Sequence, residues 1–194
     1  MPEIQLSYGP LRYRDDGEGP AIVFVHGLLV NGRVWDRLLP LLSSRARCIV
    51  PELPLGAHQS PMNPAADLSP PGLAGLVGEL LERLELEEVT LVGNDTGGAL
   101  AQLVAADHPE RLARLALITC DAFENFPPKS IAPAVKAMAR FPGIVGGLEL
   151  IGRLRPARRA AMSLAPLTVE PVPDTLVKSW LAPLRDPGVR RDLK

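Results

Sequence analysis

Val89-Thr90-Leu91-Val92-Gly93-Asn94-Asp95-Thr96-Gly97-Gly98-Ala99-Leu100 is the stretch whose reading decides the fold. A run of β-branched and apolar residues gives a buried strand, glycines crowd a turn, and apolar residues at helical spacing (Ala99, Leu100, Leu103, Val104) follow at once. The core of the turn is Gly-x-Asp-x-Gly, a pattern that fits a tight strand-to-helix elbow lifting one reactive side chain above a sheet. Asp95 is that side chain. Gly93 and Gly97 suit the geometry because the residues two before and two after the apex press together and leave little room for a Cβ. Asp is also among the few non-glycine residues that tolerate positive φ.

Two other readings compete for Asp95. It could be a plain N-cap, satisfying orphan N–H groups at the start of the helix, but flanking glycines on both sides are more than a cap requires. It could belong to a dinucleotide-binding loop, but that fingerprint needs Gly where Asp95 stands, and a carboxylate there would repel a pyrophosphate.

Working outward, the 194 residues carry a net charge of −1 and are 46% hydrophobic, enough for one domain with a full core and no implied nucleic-acid partner. No apolar run reaches the length of a membrane span and no basic leader opens the chain, so the expectation is a cytoplasmic protein without a membrane partner. Cys48 and Cys120 are too few for a disulfide framework and read as buried free thiols. No metal-ligand cluster is visible, and neither metal nor cofactor is expected.

Residues 4–8 and 11–14 read as strands around Gly9-Pro10, and Ala21-Ile22-Val23-Phe24-Val25 as a central strand covered on both faces, ending in His26-Gly27-Leu28-Leu29. A helix is expected near residues 33–42 with Val34, Leu38, Leu41 and Leu42 inward, then a strand at residues 46–50 and a Pro- and Gly-rich loop carrying His58. Ser69 caps a helix whose first turn holds Pro70 and Pro71, running to about Leu84. The elbow unit follows, then a strand at residues 112–119. This alternation predicts an α/β fold with a mostly parallel, doubly wound sheet. From Phe126 onward prolines break the pattern into short helical pieces, so residues 1–122 are expected to form the core and residues 123–194 a helical cap. Residues 129–159 hold seven Lys or Arg and one Glu, which reads as a solvated lid face.

His26-Gly27 after the third strand, the elbow around Asp95, the turn Asp107-His108-Pro109-Glu110-Arg111 and the helical segment beyond together resemble the α/β-hydrolase family over residues 4–192. An Asp at the elbow is similar to the haloalkane dehalogenases and epoxide hydrolases. The resemblance implies a hydrolase in which Asp95 forms a covalent ester with a small apolar substrate of the ester, epoxide or haloalkane type. It implies oxyanion donors at the backbone N–H groups of Leu28 and Thr96. Thr96 stands where the dehalogenases usually have Trp, and Leu28-Leu29 where the epoxide hydrolases usually have Phe-Pro, so no single substrate is named.

The resemblance further implies an acid and a base on loops after later strands, for which these residues offer no position. The expectation is therefore a chain lacking the family's last strands. His26, Trp35 and His58 are the expected substrate-site residues. The competing roles are loop-tying for His26, packing of helix against sheet for Trp35, and loop-ordering for His58. Two alternatives to the enzyme are a catalytically silent ligand-binding version of the fold and an inactive fragment. With its outer neighbour absent, the strand at residues 112–119 is an uncovered edge, through which the chain is expected to self-associate.

Overall fold

A computed structural model describes residues 1–120, 129, 132–153 and 172–193. Its centre is one six-stranded sheet in the order β1-β2-β4-β3-β5-β6. The strands are β1 (Glu3–Leu6), β2 (Gly9–Asp16), β3 (Ala21–Val25), β4 (Arg47–Pro51), β5 (Val89–Asn94) and β6 (Leu112–Ile118). β1 and β2 join antiparallel, while β4, β3, β5 and β6 run parallel. The central strands read as continuous apolar runs because both of their faces are covered: Val23, Phe24, Val25, Ile49 and Leu91 are all buried.

The two faces carry separate packing clusters. On one, α2 (Pro70–Arg83) and α3 (Thr96–Asp107) set Leu73, Leu76, Leu80, Leu100 and Val104 against Val23, Val25, Ile49 and Leu91. On the other, Trp35 and Leu39 pack on Phe24, Cys48 and Val50. The doubly wound, mostly parallel architecture read from the sequence is the one observed. Ser69 caps α2, its hydroxyl accepting from the Gly72 N–H, with prolines in the first turn.

The helix expected at residues 33–42 is broken. A single 3₁₀ turn, Gly32–Trp35, capped by Asn31, is followed by one α turn, α1 (Leu39–Leu42). Pro40 in the first turn of α1 cannot donate to the residue four before it, so the two turns do not fuse. The inward face changes accordingly: Leu39 is buried, and Leu41, expected inward, is 72% exposed.

Beyond β6 the described residues are helical: α4 (Ala132–Arg140), α5 (Pro142–Arg153), α6 (Asp174–Leu181) and α7 (Pro187–Arg191). Val145, Val177, Trp180, Leu181, Leu184 and Val189 form a third apolar cluster that closes on Ala57 and the flanks of Val30 and Val34. Expected breaks at Pro127, Pro128, Pro156, Pro166 and Pro171 lie outside the described residues. β6 ends the sheet, with Leu115, Leu117 and Ile118 at 39%, 44% and 41% exposure. No described helix is long and apolar enough to cross a membrane.

Candidate functional site

β5 delivers Asp95 at the carboxyl end of the sheet, where open α/β sheets place their ligands. Its backbone sits at φ 54°, ψ −129°, a region disfavoured for a residue with a Cβ, and α3 starts at the next residue. The crowding that demands glycine is visible. A Cβ on Gly93 would lie 2.5 Å from the Gly97 carbonyl oxygen, and one on Gly97 would lie 2.3 Å from the Val25 carbonyl oxygen. The turn is held from the neighbouring strand as well: Asn94 Nδ2 donates to the Ile118 carbonyl at 3.0 Å, and the Asp95 N–H points at the Ile118 and Thr119 carbonyls.

The cap reading of Asp95 fails on geometry, since its carboxylate makes no capping bond to the helix it precedes. Instead the Leu28 backbone N–H donates to Asp95 Oδ2 at 3.1 Å, and the Thr96 hydroxyl reaches the same oxygen at 3.4 Å. Among the described residues, Oδ1 takes no bond. One carboxylate oxygen is thus held and the other is open, and the side chain is exposed. The strand β3 to His26-Gly27-Leu28 loop that supplies the donor is itself strained: Leu29 has φ 58° and is anchored by its N–H to the Leu55 carbonyl at 2.8 Å.

The other expected site residues lie elsewhere. His26 is fully buried; its Nδ1 bonds the Gly27 carbonyl at 2.9 Å and its Nε2 accepts from the Leu53 N–H at 3.1 Å. This fixes the neutral tautomer with the proton on Nδ1. Burial pulls its pKa down to about 4, only partly offset by the Gly27 bond. With both ring nitrogens spent on backbone, His26 ties the β3 loop to the β4 loop and offers a substrate nothing polar. Trp35 packs on Phe24, ring centres 5.1 Å apart, and its indole Nε1 is buried without a partner. Packing between helix and sheet, the alternative reading, is what its surroundings give it.

His58 is also inaccessible. Its Nδ1 accepts from the Gly56 N–H at 3.3 Å, so Nε2 carries the proton and donates to Asp192 Oδ2 at 3.1 Å, both side chains being 1% exposed. Asp192 was not singled out by sequence, because a partner 134 residues away leaves no local spacing to read. Cys48 is buried as expected, but Cys120 is only half-buried, sitting after β6 against Gly98. His108 caps the end of α3 and rests on Gly78 of α2, away from the elbow. No group of three His, Cys, Asp or Glu side chains among the described residues is placed to hold a metal ion.

The sheet order, the elbow and the donor from the β3 loop agree with one family, and its sequence profile, alpha/beta hydrolase fold, matches residues 20–147. The chain belongs to the alpha/beta hydrolase fold family. This family member is 34% identical over 149 residues to an uncharacterized protein of Mycobacterium tuberculosis, covering 73% of this chain and 43% of that one. It is 30% identical over 147 residues to a haloalkane dehalogenase of Mesorhizobium japonicum (73% and 47%). To a pimeloyl-[acyl-carrier protein] methyl ester esterase of Aeromonas hydrophila the identity is 37% over 125 residues (62% and 46%). The chain therefore spans just under half the length of these relatives. A putative epoxide hydrolase from Pseudomonas aeruginosa superposes with a TM-score of 0.80 at 23% identity, covering 98% of this chain and 66% of that one, a likeness of fold.

Proposed function

We propose that this alpha/beta hydrolase family member is a hydrolase in which Asp95 is the nucleophile, acting on a small apolar substrate with an electrophilic carbon. The observation that carries the reading is the division of labour in the carboxylate, with Oδ2 held by the Leu28 N–H and Oδ1 open. In the first step Oδ1 attacks carbon, a C–O bond forms and the leaving group departs with the bonding pair, as halide from a haloalkane or as alkoxide from an opened epoxide. In the second, water attacks the carboxyl carbon of the resulting ester, and the negative charge collects on the oxygen that faces Leu28 and Thr96. The Leu28 backbone amide, already aimed at that oxygen, lowers the barrier without reorganising, and the Thr96 hydroxyl adds a second donor. Relatives named as a dehalogenase and as an ester-cleaving enzyme support this class of chemistry. The same reading takes the protein to be cytoplasmic with a small-molecule substrate.

Of the three histidines, His26 and His58 are spent on buried partners and His108 packs on Gly78 of α2. With no histidine among these residues placed to activate water, the second step should be slow in the 194-residue chain and the ester detectable, because an activated water normally contributes about 10²- to 10⁴-fold to its hydrolysis. Intact-protein mass spectrometry after incubation with 1,2-epoxyhexane or 1-bromohexane tests this. A single covalent addition mapped to Asp95 and absent from Asp95→Asn is expected. No adduct from any electrophile with folded protein, or one mapped elsewhere, would refute the nucleophile.

A further inference from the structure

A cavity of about 280 Å³ opens between β2, the Asn31–Arg33 turn and the end of β4, lined by Arg12, Arg14, Asn31, Arg33, Val50 and Glu52 among others. In the sheet order it lies at β2 and β4, while Asp95 follows β5, two strands on, or roughly 10 Å at the usual strand spacing. Nothing in the Asp95 chemistry uses it.

Its charges do not cancel evenly. Arg14 is held by Asp16 at 2.9 Å and Asp36 at 2.7 Å, and Arg33 by Asp36 at 3.2 Å. Arg12 makes no hydrogen bond or ion pair among the described residues, and feels Glu52 only at a distance. Glu52 is 8% exposed and takes the Gln59 N–H at 3.3 Å; burial raises its carboxyl above the usual range, against the pull of that bond and of Arg12. Asn31 is 5% exposed, and its Oδ1 is committed to the Arg33 N–H at 3.2 Å, which leaves the amide NH₂ with no acceptor. An amide donor and a guanidinium with no partner among the described residues thus border one small space, with Val50 as apolar wall. Among the described residues the buried donors left without a partner are the Trp35 and Trp180 indole N–H groups, so the Asn31 amide N–H reaches solvent through the cleft, where it is free to meet a ligand acceptor.

We propose that this cleft binds a small monocarboxylate. The guanidinium fork of Arg12 matches a carboxylate with two parallel hydrogen bonds, and the Asn31 amide supplies a further donor. A phosphate dianion would bring a second charge next to Glu52, with Arg14 and Arg33 already neutralised by Asp16 and Asp36. The volume lies just below the roughly 300–1,000 Å³ usual for ligand sites, which favours a short aliphatic acid.

The test titrates the full chain with sodium butyrate, and in parallel with inorganic phosphate, by calorimetry and by two-dimensional amide NMR. Saturable butyrate binding is expected, with shifts at residues 12, 31 and 52 and phosphate binding weaker. Arg12→Gln should weaken butyrate by at least about tenfold, the scale of a lost bidentate pair. Arg12→Lys, keeping charge without the fork, should fall between. Asn31→Asp keeps the Oδ1 cap on Arg33 but turns the donor into an anion, and should also weaken binding at least about tenfold. Asp95→Asn should bind as the parent does. The proposal is overturned by butyrate that never saturates, by phosphate binding as tightly, by unchanged affinity in folded Arg12→Gln and Asn31→Asp, or by loss in Asp95→Asn.

Discussion

His58 and Asp192 meet across 134 residues of chain in a bond that is entirely closed to solvent, Nε2–H to Oδ2 at 3.1 Å. The same oxygen accepts the Met62 N–H at 2.7 Å, and Oδ1 takes Arg191 Nε and a guanidinium NH₂ at 3.0 and 2.7 Å, while the other NH₂ contact of Arg191 is the Met62 carbonyl. Asp192 therefore clasps the end of α7 onto the loop after β4. Truncating it leaves a buried histidine N–H, a backbone N–H and the Arg191 Nε–H unanswered. Asp192→Ala should destabilise the chain by about 2–5 kcal/mol, at roughly 1–3 kcal/mol for each buried donor left unsatisfied. His58→Ala should be of similar direction and smaller size, and urea melts of the three proteins would check both.

The clasp also sets an acid limit. Burial alone would raise the Asp192 carboxyl, but the bonds from His58, Met62 and Arg191 outweigh it and hold the pKa below the ordinary value. A carboxylate depressed on folding contributes stability that is complete above its unfolded pKa, near 3.9, and is lost as pH falls through the lower folded value. Asp192→Asn should remove that part of the acid-denaturation profile below about pH 4.

His26 acts in a higher window. Its folded pKa of about 4 lies below the ordinary 6.5, so the unfolded chain binds the proton first and stability declines as pH drops from 6.5 toward 4. The loss is up to about 3 kcal/mol, at roughly 1.4 kcal/mol per pKa unit. Chemical melts between pH 7 and 4 should show this slope, and His26→Leu should flatten it while lowering stability at pH 7, where the Leu53 N–H loses its acceptor.

How much of this was legible in the sequence differs by kind of interaction. Gly93-x-Asp95-x-Gly97 could be read because the elbow packs Gly93 against Gly97, only four residues on, and Ser69 because a cap bonds three residues on. The sheet was legible through apolar runs that both faces bury. The break at Pro40 was present in the sequence and outweighed by the apolar spacing of Val34, Leu38 and Leu41. The His58–Asp192 clasp and the Arg12–Asn31 cleft could not be read, since each joins residues whose only relation is tertiary. A histidine on a Pro- and Gly-rich loop looks the same whether it faces substrate or a distant carboxylate.

The carboxylate division at Asp95 depends on Gly27 having no side chain. A Cβ there would lie 2.1 Å from Asp95 Oδ2 and 2.7 Å from Asp95 Cβ, so Gly27→Ala must push the carboxylate away from the Leu28 N–H. Removing one such donor elsewhere costs about 10²- to 10³-fold in rate. Gly27→Ala should slow the residual hydrolysis of the Asp95 ester by that order while the far-ultraviolet spectrum stays native, as mass spectrometry of the decaying adduct would show; ester loss at the parent rate would mean that the Leu28 contact plays no part.

β6 pairs with β5 along one side only, and its other side has no strand among the described residues. Leu115, Leu117 and Ile118 remain roughly two-fifths exposed, an apolar edge with a free row of backbone donors and acceptors. Natural sheets blunt such edges with charge, proline or a bulge, because an open one templates pairing with another chain. Here the only charge on the strand is Arg114, and its irregularity is at the far end, beside Val89 and Thr90. The 194-residue chain should therefore self-associate in a concentration-dependent way on size-exclusion chromatography with light scattering. Leu117→Lys, which places a charge on the open edge, should shift the population toward monomer without lowering the melting temperature by more than a few degrees. A parent protein that stays monomeric to the highest soluble concentration would show that the edge is covered in solution.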